Sequence, residues 1–273
     1  MARFLIVPQW QGSPSSRAMQ LIDGAQAIAG DLPRSSCTTV DVPLEAGESL
    51  ETGVHRFSTL RRTRELIDLE LAPRSEPIML IGGDCGVAVG AVGHAVRRHP
   101  DLAVVWLDSH PDLHTADSSP SGAFSGMALR AILGDGVDGL GLASGDIAAD
   151  RVILAGAREY DPAEETAVEH LGVRTVDPVE LSTPGSLADA VAATGASAVY
   201  IHVDLDVLDP AAMSGVTASV PFGVSLAELL ASISSVREAL PLVGSSITGF
   251  APASPAAAVD DLGAILRIVG ALA

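Results

Sequence analysis

The sequence predicts an α/β protein, a three-layer α/β/α sandwich around a central, mostly parallel sheet. Short apolar runs of β-branched and aliphatic residues recur along the chain, helical patterns separate them, and polar or Gly-rich residues follow where the runs end. Runs of four to six such residues suit strands buried on both faces, and their alternation with helices implies parallel pairing. The composition agrees, with 48% hydrophobic residues but only 3% aromatic ones, which favours small-residue packing of helices on a sheet. A chain of 273 residues is then expected to form one domain, 1–273.

In chain order, the expected strands cover residues 4–7, 78–81, 103–107, 152–155, 198–203 and 246–250. The expected helices cover 58–70, 86–98, 126–133, 187–193, 226–239 and 260–272. Ser225 precedes Leu226 and Glu228 follows three residues after the serine, a capping-box arrangement that marks a helix start. The Ser/Gly/Asp-rich stretch 117–124 reads as a loop over a site.

The formal charge of -18, from 34 acidic and 16 basic side chains, opposes binding to phosphate backbones. It is compatible with cationic substrates or metal ions, and equally with solubility alone. Two cysteines, Cys37 and Cys85, are poor material for a disulfide framework and suit a reducing cytoplasm. The first residues carry one basic side chain and an apolar run too short for a signal peptide. No apolar stretch reaches the roughly 18 residues of a membrane helix, so a cytoplasmic protein with a small-molecule substrate is expected. Nothing in the sequence fixes an oligomeric state.

Three clusters carry chemistry. Gly82-Gly83-Asp84-Cys85 follows the strand at 78–81; the glycines permit a sharp turn, and by itself the block reads first as a strand-to-helix turn capped by Asp84. Asp108-Ser109-His110-Pro111-Asp112-Leu113-His114 ends the strand at 103–107. If extended, it projects two carboxylates and two imidazoles to one side, a ligand set for divalent cations; a solvated turn is the alternative. His202-Val203-Asp204-Leu205-Asp206 places two carboxylates one residue apart at the end of an apolar strand. Unneutralised, they would repel and resist desolvation, so either a cation sits between them or one stays protonated as a general acid. The second and third clusters together supply ligands for two metal ions, which can activate a water at neutral pH.

These three blocks, in this order, resemble the ureohydrolase family of arginases, agmatinases and formimidoylglutamases over roughly 78–255. The resemblance implies an arginase-like sandwich, two manganese ions per subunit and a metal-bridging hydroxide that attacks the guanidino carbon. It matches Asp108, His110, Asp112, Asp204 and Asp206 to metal ligands, with Asp112 also serving catalysis, and places Cys85 where the family has a ligating histidine. His114 and Ser121 fall at positions that contact the substrate carboxylate, and His114 also has a catalytic role. Asp161 falls where the α-ammonium is held, assisted by Glu164, although Asp161 beside Pro162 also reads as a helix start. Ser121 also reads as an ordinary loop serine. His202 reads as a support for the metal ligands or as a packed histidine.

The departures narrow the substrate. Manganese is a hard ion for which the Cys85 sulfur is a poor donor, so one metal is expected to be weaker or different, or Cys85 is a buried small residue that leaves a site short of a ligand. Ser125 stands at the family's proton-shuttling histidine, and Gly249-Phe250-Ala251-Pro252-Ala253-Ser254-Pro255 offers no carboxylate for a guanidinium. Both losses suit a guanidine less basic than arginine. The exchange of histidine for the thiol of Cys85 is similar to the branch that converts Nω-hydroxy-L-arginine to L-ornithine and hydroxyurea in D-cycloserine biosynthesis. Arginase, agmatinase or formimidoylglutamase activity and a non-catalytic regulator that binds metal or an amino acid are the alternatives. A deacetylase-like zinc hydrolase fits less well, because Asp204 and Asp206 suit a binuclear oxygen-rich site.

Overall fold

The computed structural model describes residues 2–273; Met1, at which the expected domain begins, lies outside the described residues. Eight strands form one sheet: β1 (Arg3–Val7), β2 (Cys37–Thr39), β3 (Ile78–Gly82), β4 (Leu102–Leu107), β5 (Val152–Ala155), β6 (Arg174–Val176), β7 (Ala198–Asp204) and β8 (Leu242–Thr248). Their spatial order is β2-β1-β3-β8-β7-β4-β5-β6, and every pairing is parallel. The helices are α1 (Gln20–Gly30), α2 (Phe57–Leu71), α3 (Ala88–Arg98), α4 (Ala128–Ile132), α5 (Pro162–Leu171), α6 (Pro178–Leu181), α7 (Ser186–Ala192), α8 (Leu226–Ala239) and α9 (Ala258–Leu272).

Side-chain alternation sorts the molecule into three layers. In β4, Leu102, Val104 and Trp106 pack with Leu60 and Ile67 of α2 and Val92 of α3. Ala103, Val105 and Leu107 pack on the opposite face with Ile28 of α1, Ile233 of α8 and Ile265 of α9. The central strands are wholly buried, as strands covered on both sides must be.

All six expected strands are present, and α8 has the expected bounds. β8 lies earlier than the expected 246–250, because Gly249 adopts φ +86 and ends the extended run. Sequence periodicity missed β2 and β6, three-residue edge strands with exposed polar side chains, and also α1, α5 and α6. The helices expected from 86 and 126 start at Ala88 and Ala128, each after a single 3-10 turn, Cys85–Val87 and Ser125–Met127.

Register then fixes the site. Trp106 pairs with His202 and Leu107 with Val203, so Asp108 is level with Asp204. Asp204 in turn pairs with Thr248, and β3 ends beside them at Gly82. Four adjacent strands, β3, β8, β7 and β4, therefore end in one row, and ligands of open parallel sheets bind beyond such carboxyl ends.

Candidate metal centre

Asp84 turns out to be a structural residue. Its buried carboxylate accepts hydrogen bonds from the Gln9 amide (3.0 Å), the Gly12 N–H (2.9 Å) and the Gly86 N–H (3.0 Å). Burial pushes its carboxyl up to about 6 despite those bonds. A side chain at Gly83 would run into the Gln9 carbonyl, which accounts for glycine there. Anchored in this way, the turn delivers Cys85 to the row: its Sγ lies 2.9 Å from Asp204 Oδ2 and 3.6 Å from Asp108 Oδ2.

The second cluster converges differently from the expectation. The strand stops at Leu107, so residues 108–114 do not alternate in an extended backbone. Asp108 Oδ1 accepts the His110 N–H at 2.7 Å, a local turn of the kind aspartate forms with the backbone two residues on. Asp112 adopts φ +54, a left-handed conformation uncommon outside glycine. Its Oδ2 is buried without a hydrogen-bond partner.

The third cluster also bends. Asp204 closes β7 and Asp206 lies in the 3-10 turn Leu205–Val207, so the two carboxylates do not sit side by side on a strand. Asp204 Oδ1 accepts the Asp206 N–H at 3.0 Å, and Asp206 Oδ1 accepts the Ser109 N–H at 3.0 Å, joining the exits of β7 and β4. His110 Nδ1 then lies 3.1 Å from Asp206 Oδ2 and 3.4 Å from Asp108 Oδ1.

Cys85, Asp108, His110, Asp112, Asp204 and Asp206 all line one cavity of about 330 Å³, together with His114, Ser121, Ser125 and Glu164. Burial, followed by mutual repulsion, lifts Asp108 to about 6 and Asp112 and Asp204 well above the carboxylate range. Burial and the neighbouring carboxylates push the Cys85 thiol far up as well. Burial disfavours charge on both His110 and Asp206, but hydrogen bonding of His110 to Asp108 and Asp206 outweighs it, raising His110 to about 12, and the bonds from His110 and Ser109 lower Asp206. Carboxylates that repel each other this strongly hold protons until cations replace them. The unpartnered Asp112 oxygen and the mixed oxygen, nitrogen and sulfur donors fit a pair of divalent cations.

Beyond this cluster of donors lies the expected substrate end. His114 is buried, with Nε2 2.8 Å from Asp161 Oδ2 and 3.9 Å from Glu164 Oε1, and Nδ1 3.1 Å from Ser118 Oγ. Asp161 is the helix cap of its second reading. Oδ1 caps α5 through the Ala163 and Glu164 N–H groups while Oδ2 meets His114, so Asp161 stands behind His114. Glu164 is buried and receives the Leu113 N–H at 3.3 Å; burial raises its carboxyl. Ser121 lines the cavity and also accepts the Ala123 N–H at 3.2 Å as a loop serine.

Comparison with known proteins matches this architecture. Residues 16–266 match a model of the arginase family. The chain belongs to the arginase family. It is 30% identical to the arginase of Bacillus caldovelox over 69% of this chain and 68% of that one. It is 32% identical to the N(omega)-hydroxy-L-arginine amidinohydrolase of Streptomyces lavendulae over 70% and 67%. The alignment with the arginase of Brevibacillus brevis spans 53% of that relative. The crystal structure of Entamoeba histolytica arginase in complex with L-ornithine superposes with a TM-score of 0.87 at 20% identity, covering 99% of this chain and 97% of that one. The Bacillus caldovelox arginase structure gives 0.83 at 23%, covering 100% and 98%.

Several residues of this arginase-family site were not foreseen. Pro14, Ser15, Thr217 and Ala218 complete the cavity wall, and small residues far from the acidic blocks give no sequence signal. Arg158 makes no ion pair among the described residues; its guanidinium donates to six carbonyl oxygens. These belong to Gly156, to Asp206, Val207 and Leu208, and to Val220 and Pro221. It thereby ties the Asp206 turn to the segment that carries Thr217 and Ala218. Asp161 and Glu164 drew attention instead, because carboxylates suggest ligands and a backbone clamp has no motif.

Proposed function

We propose that the protein hydrolyses Nω-hydroxy-L-arginine to L-ornithine and hydroxyurea, with two divalent cations that include manganese at the position served by His110. As an arginase-family protein it is a metal-dependent hydrolase of amidino C–N bonds. The finer reading is carried by the stretch 249–255, which brings no carboxylate to pair with a guanidinium.

When bound, the cation pair supplies the Lewis acidity that makes a water nucleophilic at neutral pH. Cys85, Asp108, His110, Asp112, Asp204 and Asp206 would hold it. Asp112 Oδ2 has no partner inside the protein and would be free to accept a proton. His114, Ser121 and Glu164, with Asp161 behind His114, receive the carboxylate and ammonium of an amino-acid head group. The hydroxyl on the hydroxyguanidine withdraws electrons and lowers its basicity, so it tolerates a site without an anionic guanidinium partner. Ser125 offers only a short hydroxyl beside the cavity, which suits a leaving group that needs little help from a protonated side chain.

The 32% identity to the Streptomyces lavendulae relative of that name supports the substrate, and the resemblance supports a place in antibiotic biosynthesis. Both cysteines are free, in keeping with a cytoplasmic enzyme built as one catalytic domain, and among the described residues no helix is long and apolar enough to cross a membrane. The deciding experiment is turnover of Nω-hydroxy-L-arginine against L-arginine and agmatine with manganese supplied, following ornithine or putrescine. A strong preference for the hydroxylated substrate is expected. Equal or better hydrolysis of arginine would assign an arginase, and no hydrolysis of any of them would assign a binding role.

A further inference from the structure

His202 is wholly buried directly below the cation row. Its ring stacks on Trp106, with centroids 3.7 Å apart and planes inclined by 23°, so it has little freedom to turn. Nδ1 lies 2.8 Å from Ser246 Oγ; with that nitrogen donating, Nε2 presents a bare lone pair. The hydroxyl beside Nε2 is that of Thr248 at 3.4 Å, and its single proton is directed to Asp204 Oδ2 at 3.0 Å. Nε2 therefore has no donor at normal hydrogen-bond distance from Thr248. A His202 ring nitrogen, Cys85 Sγ and an Asp108 carboxylate oxygen all lie within 4.8 Å of one another. Donors bound tetrahedrally to one cation at roughly 2.0–2.3 Å stand about 3.3–3.8 Å apart, so an inward shift of at most about 1.5 Å suffices.

We infer that His202 is an additional ligand of the cation held by Cys85 and Asp108, and that this position takes a borderline ion such as zinc or cobalt in preference to manganese. The inference rests on the proposed binuclear centre and deepens it. Thiolate and imidazole together favour the later divalent metals, whereas the neighbouring position, with His110, Asp108 and Asp206, remains oxygen-rich. Ser246 fixes the outer nitrogen of the ring, as supporting partners of ligating histidines do.

The test reads the metal directly. X-ray absorption at the zinc edge of the intact protein loaded with two zinc ions should count two imidazoles and one sulfur per pair of ions. One imidazole, that of His110, would overturn the proposal. Competition dialysis against equal cobalt and manganese, read by metal analysis, should give at least one cobalt per chain and a thiolate-to-cobalt absorption band. His202→Ala should weaken that cobalt by at least roughly tenfold, the lower end of the loss seen when a mere supporting partner is removed, and leave the second ion in place. Unchanged cobalt affinity in a folded variant, or two manganese ions in the native protein, would also overturn it. Hydroxyarginine turnover is measured separately, so a failed ligand count with intact turnover rejects His202 and keeps the proposed function. The converse rejects the substrate alone.

Discussion

Cys85 gives the centre its chemical character, because replacing a nitrogen donor with sulfur changes which metal a pocket prefers without changing its shape. The thiol is buried against Asp204 and Asp108, and it must lose its proton to bind a cation. Cys85→His should therefore tighten manganese binding by about tenfold or more and shift kcat/KM toward L-arginine; calorimetric titration and paired kinetics measure both. Unaltered affinity and selectivity would show that the sulfur is not the determinant. Asp84 makes a different prediction. Its carboxyl is raised from 3.8 to about 6 on folding, chiefly by burial, so the folded state binds that proton more tightly than the unfolded one. Its contribution is fully present below about pH 4 and is lost as pH rises through 6. The metal-free protein should lose stability to Asp84 ionisation across that window. Asp84→Asn should flatten this part of the profile in urea unfolding while costing about 1–3 kcal/mol for N–H groups left without an acceptor.

Elements differed in how much of them could be read from sequence, and the differences have physical causes. α8 was legible at both ends because Ser225 and Glu228 form the reciprocal cap that their spacing suggested. β2 and β6 were not, since three residues at a sheet edge need no apolar pattern. The connecting turns were the least legible: the clusters at 108–112 and 204–206 look like alternating strands, yet a two-residue aspartate turn and a 3-10 turn bring their carboxylates together. The ligands were therefore identifiable while their geometry was not, because a turn and a strand can present the same residue types to one point. Arg158 shows what such turns require. Arg158→Met leaves six carbonyls without their donor and should cost about 2–4 kcal/mol, with a fall in kcat/KM as the Asp206 turn loosens. Arg158→Lys, which keeps the charge but not the planar fork, should recover only part of both, as chemical unfolding and kinetics would show. Equal recovery with lysine would mean that charge alone holds the loop.

At the scale of the whole molecule, the parallel order of the sheet and the centre are one design. Placing β3, β8, β7 and β4 side by side collects at one edge the residues that each contributes just past its last hydrogen-bonded pair, which is why separate stretches of sequence converge without any motif linking them. The cost is a protein of charge -18 that gathers five of its carboxylates in a cavity of about 330 Å³, where they repel one another unless cations or protons intervene. Folding and cation binding are then linked: a cation that binds only the folded state stabilises it by about 2.7 kcal/mol per site at a hundredfold excess over Kd. Exhaustive chelation should lower Tm by several degrees at pH 7.5, and cobalt or manganese at micromolar concentration should restore it. Sodium chloride at matched ionic strength separates the two possible causes. If salt alone restores Tm, general screening of surface acidity governs stability; if it does not, the recovery belongs to the cavity. The effect of chelation should also shrink toward pH 5, where Asp108, raised to about 6, is largely protonated, so that a proton occupies what the cation would otherwise hold. A chelation effect of constant size across that range would separate the cations from the carboxylate cluster.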